Sequence, residues 1–291
     1  MSPIYLVSGA KSSVGCALLG FLQDRAAEVW ALTRGTLPDS TASVQWMHAN
    51  QITLRYQKDT RNQPMIFLAV APLWSVAETI DACTGIPLQK IVAVGSTSEF
   101  TKASSQDPYD QEVVAQLRQG VRDLRERANR RQIPFLLLRT TMIYGPNDRN
   151  LTFWRRFARY APVLPLISGG RAMRQPVHVE DVAAVVLAAA GYSGSTQEFI
   201  IAGPRPLSYR QMLESICQQQ GRKRLFVSFP VFMLKIVVMV IRFLPGMKGL
   251  RPSMIERMQL DMIFPIDRAQ QELGFIPREF DSKGCDRWPK E

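Results

Sequence analysis

The chain has 291 residues, 46% of them hydrophobic and 21% charged, which excludes a disordered protein and leaves room for a large core. Two histidines argue against a histidine-rich metal site, and four widely spaced cysteines indicate reduced thiols and a cytoplasmic location. The net charge of +11 favours an anionic partner, whether nucleic acid, a phosphorylated ligand or an anionic membrane surface.

Short apolar runs alternate with helical patterns from the first residues to about Gly203. The runs are "IYLVSG", "EVWALTR", "VQWMHAN", "MIFLAVAP", "KIVAVGSTS", "PFLLLRTTMIYG", "QPVHVEDV" and "EFIIAG". Most of them lack strict alternation, as expected of strands that are covered on both faces of a parallel sheet. The pattern predicts an α/β fold with a Rossmann-type doubly wound parallel sheet, followed by a smaller, mostly helical C-terminal lobe.

The first run leads into "SGAKSSVG", a strand, a glycine turn and the start of a helix. Gly9 permits a tight turn and Gly15 close packing, so the backbone of this segment can hold a pyrophosphate. The predicted cofactor-binding residues here are Gly9, Lys11, Ser12, Ser13, Val14 and Gly15. The second strand ends at Arg34, which suits a ribose 2′-phosphate and, with Lys11, favours NADP over NAD. A plain surface arginine is the alternative.

Much of the arginine lies in "RQGVRDLRERANRRQ" (118–132). Apolar residues recur there at helical spacing, at Leu117, Val121, Leu124 and Ala128, which predicts one buried stripe and basic outer faces. Motifs for nucleic-acid binding are absent from the sequence, so we expect a solvated helix and no nucleic-acid partner.

The apolar segment 229–250 follows a helix for which Ser208 is the expected N-cap. Lys235 and Arg242 leave only six uninterrupted apolar residues between them, far short of the ~20 that a spanning helix needs. Two interpretations stay open. The segment is a helix packed on its own lobe, or it contacts a membrane peripherally through apolar residues and the cations Lys235, Arg242, Lys248 and Arg251.

Four motifs together resemble the extended short-chain dehydrogenase/reductases, the NAD(P)-dependent nucleotide-sugar epimerase/dehydratase group. They are "SGAKSSVG", "GSTSEF", "LLLRTTMIYGP" and "RQPVHVEDVA", and the C-terminal "IDRAQQELGFIPREF" is similar to the tail of nucleotide-sugar members. We accordingly expect a dinucleotide-binding domain over 1–150 plus 174–203 and a substrate lobe over 151–173 plus 204–291. The family's first turn reads T-G-x-x-G-x-x-G, so Ser12 replaces its middle glycine.

The resemblance also implies substrate contacts. It places Arg174 against a nucleotide diphosphate, Asn150 near the sugar or phosphate, and Ser96 and Ser98 beside the substrate. His178 and Asp181 are expected to orient the backbone and cap the following helix. We expect an anionic small-molecule substrate, a nucleotide sugar above all, and a monomer or weak homodimer.

The family's catalytic groups are a Ser/Thr, a Tyr and a Lys, the last two in Y-x-x-x-K. Thr97 matches the hydroxyl position, but the register places Val113 or Val114 at the tyrosine and Leu117 or Arg118 at the lysine. Tyr109 is the nearest tyrosine and the candidate base. Three alternatives follow: an oxidoreductase or epimerase with a relocated base, a reductase with another proton donor, or a silent NADP-binding sensor or assembly protein. We favour an enzyme; a serine hydrolase would need a G-x-S-x-G elbow that the sequence lacks.

Overall fold

The computed structural model describes residues 3–58, 63–146, 148–241 and 251–281. The strands in these ranges are β1 (Ile4–Ser8), β2 (Val29–Leu32), β3 (Val44–Met47), β4 (Met65–Ala69), β5 (Leu88–Ser96), β6 (Phe135–Thr140), β7 (Ile143–Tyr144), β8 (Val163–Ile167), β9 (Met173–Arg174), β10 (Val177–His178), β11 (Glu198–Ile201), β12 (Leu207–Ser208) and β13 (Leu225–Phe229). The helices are α1 (Ser13–Asp24), α2 (Ile52–Lys58), α3 (Ala77–Asp81), α4 (Ser98–Thr101), α5 (Pro108–Arg130), α6 (Arg149–Tyr160), α7 (Val179–Gly191), α8 (Tyr209–Gln219), α9 (Val231–Ile241), α10 (Pro252–Arg257) and α11 (Asp267–Leu273).

The predicted doubly wound sheet is confirmed. Within the described residues it has seven parallel strands in the order β11-β6-β5-β4-β1-β2-β3. Every residue of β4 and of β6 is buried, because helices cover both faces of the sheet. From β1 the chain builds outward through β2 and β3, and it then returns to β4 on the other side. The carboxyl ends of β1 and β4 therefore frame the crevice in which such sheets bind ligands.

Two layers of helices form the core with this sheet. On one face, α1 and α7 pack through small and branched residues such as Ala17, Leu18 and Val182. On the other face, α5 packs through Leu117 and Leu124, together with α3. The predicted stripe of α5 is confirmed, because Leu117, Val121, Leu124 and Ala128 are all buried. Asp107 caps this helix and Pro108 opens it, so its first turn is fixed by sequence.

The C-terminal lobe is built around the parallel pair β8 and β13. Residues of α6, β8 and α8, Leu164 and Met212 among them, form its main core. Ser208 caps α8 as expected, in a capping box with Gln211. A smaller cluster joins α9 to Ile167 and Ile255. Residues 242–250 of the predicted apolar segment lie outside the described residues, and none of the described helices combines the length and hydropathy needed to cross a bilayer.

Two predicted strands are shorter than the sequence suggested. "PFLLLRTTMIYG" divides into β6 of the main sheet and β7, which pairs with β10 instead. In "QPVHVEDV" only Val177 and His178 are extended, because the His178 side chain accepts a hydrogen bond from Glu180 N–H and starts α7. The domain boundaries near 150, 174 and 203 stay predictions.

Candidate functional site

The glycine turn lies at the crevice between β1 and β4. Gly9 has φ +73°, and a Cβ there would stand 2.6 Å from the backbone nitrogen of Ala71. A Cβ on Gly15 would stand 2.3 Å from the carbonyl oxygen of Gly9. Both neighbours are main chain and cannot yield. The turn therefore has the tight bend at Gly9 and the close helix packing at Gly15 that its sequence predicted.

Ser12 is the residue that replaces the family's middle glycine. Its Oγ accepts a hydrogen bond from Gly15 N–H at 3.0 Å and caps α1. The hydroxyl thus serves as the acceptor for a free N–H group in the first turn of α1, and it is not directed at a ligand. Ser13 and Val14 follow as the first helical residues, whose N–H groups have no acceptor inside a helix. Both residues line a cavity, so the positive end of α1 can bind an anion there.

A cavity of about 220 Å³ lies on the β2 side of the turn. Arg34 is exposed at its edge and forms no hydrogen bond or ion pair with any described residue. Lys11 also lines it, while its Nζ donates to Thr36 O at 2.6 Å and lies 5.8 Å from the ring centre of Trp46. The buried Ser8 Oγ has no hydrogen-bond partner among the described residues. Glu78 also lines this cavity. The cavity offers two cations, a carboxylate and an unsatisfied hydroxyl.

A second cavity of about 610 Å³ lies on the β5 side, and Ser12, Ala71 and Pro72 line both. Its other lining residues are mainly apolar: Val14, Val70, Leu73, Trp74, Val94, Leu117, Ile143, Pro146 and Val179. The hydroxyls of Ser96, Thr140 and Thr141 and the carboxylate of Asp148 supply its polar edge. The two cavities meet at the N-terminus of α1, so together they fit a ligand with two organic ends joined by an anionic centre.

The hydroxyl cluster at 96–98 is arranged differently from the sequence expectation. Thr97 is buried and its Oγ1 donates to Thr140 O at 3.2 Å, so it lies outside the lining of the larger cavity. Ser98 begins α4 and its N–H donates to Ser96 Oγ at 3.1 Å. Ser96 is the hydroxyl of this cluster that lines the cavity, because β5 ends there and the chain then turns away into α4.

Tyr109 does not line either cavity. It is 47% exposed at the start of α5, with the Arg251 guanidinium 4.3 Å and the Lys102 ammonium 5.6 Å from its ring centre. The catalytic role predicted for Tyr109 therefore lacks geometric support. Leu117 does line the larger cavity, and Val113 packs against the core one helical turn earlier. In the register that puts Leu117 at the family's lysine position both residues are apolar, and in the other register Arg118 pairs with Glu99 at 3.6 Å.

The start of α5 is instead bound to α10. Asp110 is 1% exposed and pairs with Arg257 and, at 3.1 Å, with Lys102. The Ser253 hydroxyl donates to Asp107 Oδ2 at 2.7 Å, which is the main reason why the pKa of Asp107 lies below its usual value. These carboxylates hold α10 against the first turn of α5.

Arg174 has a different role from the one that the resemblance implied. It is buried, and its Nη1 donates to Met173 O at 2.7 Å and to Leu260 O at 2.6 Å, while Nη2 donates to Arg257 O at 2.8 Å. These donors hold the main chain at the end of α10 and just after it, so they are not directed at a diphosphate. Asn150 is the second residue of α6; its side chain lies outside the described residues.

His178 caps the following helix as predicted, whereas Asp181 does not cap α7 and binds the backbone of a distant segment. His178 caps α7, and burial, aided by the nearby Arg278 charge, lowers the pKa of its imidazole below 6.5. Asp181 accepts hydrogen bonds from the backbone N–H and the Nε of Arg278, at 2.9 and 2.7 Å, and so binds the C-terminal segment.

Sequence reasoning missed Ser8, Glu78, Trp74 and Asp148 as cavity residues. A signal existed for Ser8, which ends a predicted parallel strand, where ligands are bound in such sheets. Asp148 lies two residues after the quoted motif "YGP". Glu78 and Trp74 belong to the short helical segments after β4, and no pattern in the sequence marks them.

Comparison with known proteins agrees with this geometry. Residues 74–202 match the model of the NAD dependent epimerase/dehydratase family. The solved UDP-N-acetylglucosamine 4-epimerase from Bacillus cereus is similar over 97% of this chain and 96% of its own, with 15% identity and a TM-score of 0.69. The UDP-glucuronic acid 4-epimerase from Bacillus cereus was solved in complex with UDP-glucuronic acid and NAD. It is similar over 97% of this chain and 96% of its own, with 16% identity and a TM-score of 0.66.

A curated relative matches a shorter stretch. The mitochondrial NADH dehydrogenase [ubiquinone] 1 alpha subcomplex subunit 9 of Arabidopsis thaliana is 35% identical over 80 residues, which is 27% of this chain. The match spans only 20% of that relative's length. The solved neighbours have the same fold as this chain along 97% of its length. The resemblance inferred from the motifs is confirmed over residues 74–202, which match the model of the NAD dependent epimerase/dehydratase family, and over the rest of the chain the solved neighbours share its fold.

Proposed function

We propose that this chain binds NADP(H) across the glycine turn. The observation that carries the proposal is the pair of cavities that meet at the N-terminus of α1. The pyrophosphate would bind at the N–H groups of Ser13 and Val14, the adenosine part in the smaller cavity and the nicotinamide part in the larger one. The unsatisfied hydroxyl of Ser8 supports a polar ligand in the smaller cavity.

The preference for NADP over NAD is based on Arg34 and Lys11. Both cations line the smaller cavity, and Arg34 has no partner among the described residues. A charged contact to a 2′-phosphate contributes roughly 1–3 kcal/mol, or about tenfold and upward in affinity. The negative charge of Glu78 in the same cavity would repel a 2′-phosphate. The preference for NADP therefore depends on the Arg34 guanidinium.

Tryptophan fluorescence tests this assignment, because Trp46 and Trp74 lie beside the two cavities. NADPH should bind more tightly than NADH, Arg34→Ala should remove the difference, and Arg34→Lys should retain part of it. Equal affinities in the wild type would contradict the NADP assignment. Failure of both nucleotides to bind would contradict the cofactor site itself.

On this cofactor site rests a proposal for the reaction: redox change or epimerisation of a nucleotide-activated sugar in the larger cavity. Bound nicotinamide would accept or donate a hydride. Among the described residues that line that cavity, the Ser96 hydroxyl and Asp148, whose Oδ2 also accepts from Leu151 N–H at 2.9 Å, are candidates to bind or protonate a substrate. The apolar walls formed by Leu73, Trp74 and Leu117 would exclude water from the reacting atoms. Solved neighbours with nucleotide sugars support the substrate class.

A second candidate function is an NADP-binding protein without turnover, a sensor or a support for an assembly. One observation favours it: Tyr109 lies under Arg251, and Arg118 pairs with Glu99 at 3.6 Å. The other register puts Val113 and Leu117 at the positions of the family's tyrosine and lysine. Neither apolar side chain can transfer a proton.

A screen of UDP-, GDP- and dTDP-sugars with NADPH distinguishes the two candidates. An enzyme should consume NADPH or convert one of the sugars, and Ser96→Ala should slow it by about 10²–10⁴-fold if that hydroxyl takes part in proton transfer. Tyr109→Phe is the matched control, because this geometry predicts little effect on turnover. Tight NADPH binding with every sugar unchanged would favour the silent protein.

A further inference from the structure

The outer face of α9 is an exposed apolar surface that the cofactor site does not use. It consists of Phe232, Met233, Ile236 and Met239. Their side chains are 42–64% exposed, and their spacing places them on one side of the helix. The opposite side of α9 packs against Ile167 and Ile255, so the helix is fixed on the lobe with this face outward.

The segment around this face is rich in cations. Residues 215–255 contain seven Lys and Arg side chains and no Asp or Glu, although Glu214 and Glu256 flank this range. Lys235 lies within α9 itself, and Arg251, whose side chain is 40% exposed, precedes α10. Glu256 pairs with Lys235 at 2.5 Å and Asp107 with Arg251 at 3.5 Å, so two carboxylates moderate this charge. The net excess of cations in this segment is complementary to an anionic surface.

We propose that this face of α9 docks in the interface of an anionic lipid bilayer. An 11-residue helix is about 16 Å long. It can lie in the plane of the headgroups with its apolar side in the acyl boundary, in the manner of interfacial helices. Lys235 and Arg251 would contact the phosphates of the headgroups.

Other occupants fit the same face less well. A second copy of the chain would bring the same net excess of Lys and Arg over residues 215–255 toward this one, and the like charges would oppose docking. A single-stranded nucleic acid needs aromatic side chains on which bases stack, and three of the four exposed residues are aliphatic or thioether side chains. An anionic bilayer offers acyl chains for the apolar face and phosphates for the cations.

Flotation with lipid vesicles tests the proposal on the full chain. The protein should bind vesicles of phosphatidylcholine with added phosphatidylglycerol, and added salt should weaken the binding. Ile236→Ser should reduce partitioning by roughly ten- to hundredfold, because a large apolar side chain is lost from the acyl boundary. Leu54→Ser is the matched control: Leu54 lies on the short helix α2 and is 57% exposed, the same as Ile236.

Circular dichroism would show that both variants fold, and Phe232→Ser repeats the measurement at a second site. The proposal is overturned if the wild type does not float with the anionic vesicles, or if Ile236→Ser and Leu54→Ser bind equally well. Equal binding to vesicles of pure phosphatidylcholine and to anionic vesicles would contradict the preference for anionic lipid. Light scattering that shows a dimer dissociated by Ile236→Ser, without vesicle binding, would assign the face to a second copy instead.

Discussion

Replacing Arg174 with methionine tests whether its guanidinium supports the fold or binds substrate. The side chain is 7% exposed, and its nitrogens donate to the carbonyls of Met173, Leu260 and Arg257. Two of these carbonyls belong to the last residue of α10 and to Leu260 just after it, more than 80 residues away in sequence. Methionine fills a similar volume but leaves the carbonyls without a donor.

The expected cost follows from these bonds. Hydrogen bonds from a charged group contribute roughly 1.5–3 kcal/mol each, so the two that reach the C-terminal segment are worth roughly 3–6 kcal/mol. Desolvation of the buried guanidinium reduces this net stabilisation, and the same burial lowers the pKa of Arg174. We expect Arg174→Met to lower the free energy of unfolding by about 2–4 kcal/mol and the melting temperature by about 3–7 °C.

The assay is thermal unfolding followed by far-UV circular dichroism, with Arg171→Met, an exposed arginine in the same segment, as the control. Titration with UDP is measured in parallel. A melting temperature equal to that of the control, together with a large loss of UDP affinity, would refute the structural role and restore the diphosphate contact that the resemblance implied.

Three further substitutions test other parts of the fold. Gly15→Ala should destabilise the chain by roughly 1–3 kcal/mol and abolish NADPH binding in the fluorescence titration, because its Cβ would stand 2.3 Å from Gly9 O; retained binding would contradict this. The lowered pKa of His178 means that the unfolded chain binds more protons below pH 6.5, so stability should fall as the pH drops through that value, by up to about 1.4 kcal/mol per pH unit. His178→Asn keeps a capping side chain and should remove that dependence in melting curves; an unchanged slope would assign it to other groups. Asp110→Asn should cost about 3–5 kcal/mol in urea unfolding, because it leaves the Arg257 charge unpaired; an unchanged midpoint would refute the buried pair.

The sheet could be predicted from sequence because its strands are buried on both faces and so read as unbroken apolar runs. Period-3.6 patterns likewise identified α1 and α5. The glycine turn was equally clear, since Gly9 and Gly15 each stand where a Cβ would meet main chain. These features depend on neighbours in sequence or on a repeated local pattern.

The roles of single polar residues could not be predicted in the same way. Arg174 and Tyr109 stand at or near motif positions of the family, yet both contact the region of residues 251–260. That region is distant in sequence and carries no motif, so its position is set only by tertiary packing. The choice between Ser96 and Thr97 likewise depends on where β5 ends, and boundaries of elements are not fixed by periodicity.

The bonds between α5 and α10 also set an order of assembly. Asp107 and Asp110 are separated by 146 and 147 residues from the partners Ser253 and Arg257. During synthesis, α5 and strands β1 to β6 are complete long before α10 leaves the ribosome, so both carboxylates first fold facing water. Helix α10 then docks on the two carboxylates of the folded α5, and we expect its release to be the partial unfolding of this region that costs the least free energy. Native-state hydrogen exchange should accordingly show Met254–Met258 opening as a unit while the amides in the middle of α5 stay protected.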